Sequence, residues 1–322
     1  VDLLAALEKV VLLAVDAEKG DGPALAKEHK VRGYPTFVLL NAEGLTVDRW
    51  IGYAKNHFLK TLGDALKDTA TIDSKKARFK ENPSAADAEV LGRYSSAIGE
   101  YKDAVDYYRS AMELDKGSGR NHLFDIFENT CDGYKREMFA FAEVLDAAEK
   151  VIANDEADAA SKVQTAVMIT PLIIENSSMG SLEKFIEAGI TAAGNDGSLA
   201  GMKTQLIIDR CIYISGDTAK AIELKKRSMP ENWRNDPSQL NNFAWWCFEH
   251  GFNLKEAEKL SRRGVKLAKP GREKAMIADT VAEICFARKN KKEAIKFARL
   301  AAAEDPDNQF YKKQIERFMG DN

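Results

Sequence analysis

The sequence predicts two architectures in tandem: an α/β unit over residues 1–70 and an all-α solenoid of helix hairpins over 85–322, with a linker at 71–84. Two observations lead there. Before residue 70, apolar runs of strand length alternate with amphipathic stretches of helical period. After residue 85, helical periodicity is sustained, and Ala221, Ala257 and Ala294 recur 36 and 37 residues apart. A fixed spacing of that size marks a repeated two-helix unit. The outer bounds agree. A chain of 322 residues, 45% hydrophobic and 30% charged, has room for about two globular domains and is too apolar for disorder.

The elements follow in order. Residues 2–9 read as a short helix, and 10–16 ("VVLLAVD") as a β-branched strand fit to be buried on both faces. "GDG" then punctuates, and Pro23 suits the first turn of a helix running to His29. The next strand starts at or just after Pro35, because proline is tolerated at a strand's first position and not in its middle. "NAEG" at 41–44 makes a hairpin turn in which Asn41 and Gly44 can take positive φ. "LTVDRWIGY" alternates as the returning strand, and "HFLKTLGDAL" closes the unit as an amphipathic helix. In the linker, Lys75, Lys76, Arg78 and Lys80 read as a solvated charged face, and Ser84 as the cap of a new helix.

Over residues 15–53 this pattern resembles the second half of the thioredoxin fold, with Val31-Arg32-Gly33-Tyr34-Pro35-Thr36 as its most specific part. The resemblance implies an incomplete thioredoxin-like domain at 1–70 and a cis Tyr34–Pro35 bond. It implies that Tyr34 and Pro35 border a substrate-binding site, and that Gly52 allows close packing. It also implies a redox dithiol, W-C-x-x-C at a helix N-terminus, upstream of the matching stretch; no cysteine precedes Cys131. The parent protein is then expected to be a thiol–disulfide oxidoreductase whose dithiol lies before Val1, a residue not read as the native start. In the family's sheet the active-site strand lies between those matching 10–15 and 36–40. Without it both carry unpaired backbone groups, so residues 1–70 are not expected to fold alone.

The second half has its own grammar. Residues 85–116 resemble a tetratricopeptide repeat, with Leu91-Gly92 on a first helix, Gly99 at the turn, and Ala104, Tyr108 and Ala111 on a second. Small residues at those places let two helices approach, and the aromatic wedges against the next pair. Similar hairpins follow around Gly216, Ala221 and Pro230, around Ala244, Gly251, Ala257 and Pro270, and around Ala282, Ala294, Ala298 and Pro306. Between 117 and 200 the helices persist while the spacing blurs. About five or six hairpins fit, and the resemblance implies stacking into a right-handed superhelix.

Charge and chemistry narrow the function. Net charge is −3, and residues 1–70 hold 9 basic against 10 acidic side chains, so neither nucleic acid nor a membrane surface is the expected partner. No apolar run approaches the roughly 18 residues of a membrane span. Cys131, Cys211, Cys247 and Cys285 lie far apart, with no C-x-x-C, and read as buried free thiols. His122, His250 and Cys247 have no metal-ligand spacing; Cys247 is expected in the core, His250 at an exposed end, and Glu249 and Glu283 on the surface. No catalytic residue, metal or cofactor is assigned. Of Trp245 and Trp246, adjacent helix positions about 100° apart, one should pack inside while the other reaches a groove or a neighbouring repeat. Two functions stand: the oxidoreductase just described, its repeats recruiting partners, or a non-catalytic protein-binding scaffold or chaperone-like adaptor. In both, a protein or peptide partner is held by the helical repeats.

Overall fold

A computed structural model describes residues 3–116 and 121–320. The chain divides into two compact units, Val1–Leu199 and Ala200–Asn322.

The first unit opens with α1 (Leu3–Leu7), α2 (Gly22–Glu28), the strands β1 (Thr36–Leu40) and β2 (Thr46–Ile51), α3 (Lys55–Lys67) and α4 (Ile72–Glu81). The strands pair antiparallel, Thr36 opposite Ile51 and Phe37 opposite Trp50. One face of this hairpin and α3 share an aromatic cluster: Phe37 stacks on Trp50 at 5.4 Å and meets the Phe58 ring edge-on at 5.0 Å. The turn works as predicted at Gly44, whose φ is +77°. Asn41 contributes differently, through its side chain: Oδ1 accepts from the amides of Glu43 and Leu45, at 3.1 and 2.8 Å. The Tyr34–Pro35 peptide bond is cis.

Residues 10–16 do not form the predicted strand. They run as irregular chain, with Val11 fully exposed and Leu12 and Leu13 at 66% and 78%. The reason lies in pairing. Among the described residues the sheet has two strands, and strand propensity cannot hold a strand that finds no ladder partner.

Residues 71–84, read as a linker, hold α4, whose N-cap Thr71 accepts from the Ser74 amide. Lys75, predicted to be solvated, is buried at 2% exposure. Its ammonium donates to the carbonyls of Asp68 (3.1 Å), Val47 (3.4 Å) and Ala70, groups that α3's end and β2 leave available.

Three hairpins complete this unit: α5 (Ala85–Ile98) with α6 (Tyr101–Leu114), α7 (Leu123–Tyr134) with α8 (Phe141–Ala153), and α9 (Ala159–Glu175) with α10 (Leu182–Ala193). Ser84 caps α5 as expected, accepting from the Asp87 amide at 3.2 Å. Gly92 explains why the first hairpin closes tightly: a Cβ there would stand 3.1 Å from the Tyr108 ring.

The second unit repeats the theme with α11 (Ala200–Tyr213) and α12 (Thr218–Ser228), α13 (Pro237–Glu249) and α14 (Leu254–Leu267), α15 (Arg272–Ala287) and α16 (Lys291–Glu304), then α17 (Gln309–Gly320). Helix α14 packs on α15 and α16 on α17, so each hairpin covers the next. The anchor residues Ala104, Ala221, Ala257 and Ala294 are all 0% exposed. The chain is therefore mostly a helical-repeat protein. Among the described residues no helix is long and apolar enough to cross a membrane.

Candidate functional site

Two places carry chemistry, one in each unit. In the first, the loop bearing Tyr34 and Pro35 is exposed, Tyr34 at 68%. What holds it was not legible in the sequence. Arg32 donates to the carbonyl of Ile98 at 3.1 Å and lies over the Tyr101 ring, 5.5 Å from its centroid. Arg136 lies 5.6 Å from the same centroid. Gly99, at φ +81°, leaves the space that the Arg32 guanidinium fills. Arg49 donates to the carbonyls of His29 and Lys30, the latter at 2.7 Å. Asp48, 1% exposed, pairs with Arg93 of α5 at 2.6 Å. The loop is thus fastened from β2 behind and from the first helix hairpin beside it.

The four cysteines form no disulfide with one another. All four are free and buried, as predicted. Burial pushes the thiols of Cys131 and Cys247 up to about 12 and that of Cys285 up to about 11. Thiolate, the attacking species in exchange, is scarce at such values. No group of three or more metal-ligating side chains occurs among the described residues.

The second place is the face shared by α13 and α15, the first helices of successive hairpins. The tryptophan pair divides as its spacing required. Trp246 is 8% exposed, while Trp245 is 37% exposed and meets Phe248 at 5.1 Å. On α15, Met276 is 48% exposed. A hydrogen bond from Ser238 to Glu273, 2.8 Å, sets the two helices in register. Further along lie two buried polar residues: Asn241, one turn beyond Ser238 on α13, and Asp279, nearly two turns beyond Glu273 on α15. The Oδ1 atoms of both are without a hydrogen-bond partner.

Glu283, predicted on the surface, is 7% exposed, because Gln314 and Arg317 of α17 both donate to its Oε1. Burial, then the neighbouring Glu283, push the Asp279 carboxyl up to about 7, with Arg317 opposing. His250, expected at an exposed end, is half-buried: its Nδ1 meets the Trp246 carbonyl at 2.8 Å and its Nε2 the Tyr213 hydroxyl at 3.2 Å. Sequence reasoning missed Asn241 and Asp279. The available signal was a polar residue inside an otherwise apolar first-helix pattern, four residues before Trp245 and before Glu283 respectively.

No family model matches the chain, and no curated protein does. Among solved structures it is similar to a tetratricopeptide repeat protein from Parabacteroides merdae ATCC 43184, at 14% identity and a TM-score of 0.46, over 82% of this chain and 98% of that one.

Proposed function

We propose that this chain is a non-catalytic scaffold whose helical repeats bind a protein or peptide. The observation that carries this is the α13–α15 face, where Trp245 and Met276 stand exposed on helices whose opposite sides are fully packed. Large apolar side chains held on a rigid stack, rimmed by polar groups, are the usual anchor of a protein interface. A photoreactive benzoylphenylalanine placed at Met276 should yield protein adducts, while one at the outward Lys266 should not. Adducts at Lys266 alone would refute this assignment of the face.

Residues 1–70 we read as part of a thioredoxin-like module, supported by the motif around Pro35 and by the hairpin leading into α3. In that reading Tyr34 and Pro35 border the segment a substrate would occupy. The chain's own buried, high-pKa thiols argue against exchange chemistry in it. In an insulin-reduction assay with a regenerating reductant, it should turn over no faster than a variant with all four cysteines changed to alanine. Turnover above that control would restore an oxidoreductase role.

A further inference from the structure

We infer that a basic groove beside α14 binds a ligand carrying two or more phosphoryl groups, at a site separate from the α13–α15 face and independent of the protein-binding reading above. The groove is a surface cavity of about 550 Å³, lined by α14 and by Arg234 of the short 3₁₀ turn Trp233–Asn235. That volume lies in the range of small-molecule sites. Lys259, Arg263 and Lys266 stand at i, i+4 and i+7 on α14, so they share one face of the helix. Arg234 meets them from the turn. All four side chains are exposed and all four line the same cavity, so one ligand can contact them together. Leu260 alone among the lining residues is apolar, which leaves little surface for an apolar ligand.

The other charged groups of the wall are satisfied within the fold. Glu256 accepts from Lys226 at both carboxylate oxygens, at 2.7 and 2.8 Å. Arg262 donates to Glu258 and Glu293, both at 2.8 Å. The remaining four cations have no carboxylate partner among the described residues. Two of them are positioned by neutral groups instead. Arg263 donates to the Asn235 side-chain oxygen at 2.8 Å. The Arg234 guanidinium lies 4.4 Å from the centroid of the Trp233 ring, which is itself buried. Guanidiniums held in place with spare donors suit an anion that accepts several hydrogen bonds. Like charges four apart on a helix also repel, and an anion in the groove removes that unfavourable interaction. Charge density selects the kind of anion. Four carboxylates would be needed to balance these cations, whereas a phosphate monoester carries about −1.5 to −2 near pH 7, so two suffice.

The test is isothermal titration calorimetry of the full chain with inorganic pyrophosphate, without divalent cations and at low ionic strength, where exposed charges are least screened. Saturable binding at one site is expected. Lys259→Gln combined with Lys266→Gln should weaken it about tenfold or more, and so should Arg263→Gln, with thermal melts confirming that both variants fold. Lys255→Gln removes the same charge from an exposed position on α14 outside the cavity and should leave the affinity unchanged. Citrate, a tricarboxylate, should bind about tenfold more weakly than pyrophosphate. Flotation with phosphatidylcholine vesicles containing phosphatidylinositol bisphosphate separates two sources of this chemistry. Protein that floats with the vesicles, and is released by pyrophosphate, supports a lipid headgroup; protein left behind supports a soluble polyphosphate. Absence of pyrophosphate binding, or an affinity unchanged in the Lys259 and Lys266 variant, would overturn the site. Citrate binding as tightly as pyrophosphate would overturn the phosphoryl assignment. None of these outcomes bears on the α13–α15 face, which the crosslinking experiment tests separately.

Discussion

Asp279 shows how one side chain can set a pH dependence. Its folded pKa of about 7 lies above the ordinary value of 3.8, so between those values the folded state holds a proton that the unfolded chain releases. The stability this contributes is fully present below about pH 4 and is lost as pH rises through 7. Asp279→Asn removes the penalty. The variant should exceed the wild type by less near pH 4.5 than at pH 8, where the gap is on the order of 1–4 kcal/mol. Urea melts at the two pH values check this; a gap that does not widen with pH would refute it.

Among the elements, the tie between β2 and α5 is the most consequential. Asp48 and Arg93 are 1% and 13% exposed at the side chain. Removing one member strands the other charge in the interior, which costs about 3–5 kcal/mol. Arg93→Met should therefore lower stability by that amount in denaturant melts, and Asp48→Leu combined with it should recover a large part. A different limit governs the hairpins. Ala294 is wholly buried in the core that α15 and α16 build, so Ala294→Phe should overpack it and cost about 1–3 kcal/mol. Full tolerance in the same melts would contradict the hairpin geometry. The hairpins were readable because their determinants are local: a small residue, a turn glycine and a cap sit at fixed offsets. The ties of the α/β segment were not. Asp48 finds Arg93 45 residues away and Lys75 finds Val47 28 residues away, and nothing in spacing announces such partners. Two adjacent charges inside "TVDRWI" did signal that each needed a partner. The run at 10–16 failed in the opposite sense: its composition favours a strand, and a strand also requires a neighbour. The α13–α15 face was half legible, because helical geometry divided Trp245 from Trp246 but could not reveal which acceptors stay unpaired.

For the molecule as a whole, the Val10–Val15 run, half-buried at Val10 and exposed from Val11 on, bears on how it behaves in concentrated solution. Six consecutive residues without a charge or a proline, three of them β-branched, combine the features that nucleate intermolecular β-pairing. Natural sequences interrupt such runs with a gatekeeper charge; here the nearest flanking charges are Lys9 and Asp16. Leu12→Lys should therefore slow aggregation on heating and raise the concentration at which light scattering begins, without changing the melting midpoint of the helices. Equal scattering from both proteins would show that the run is harmless. If the variant gains, the colloidal ceiling of this chain is set by a single hexapeptide and not by the repeats that make up most of its mass.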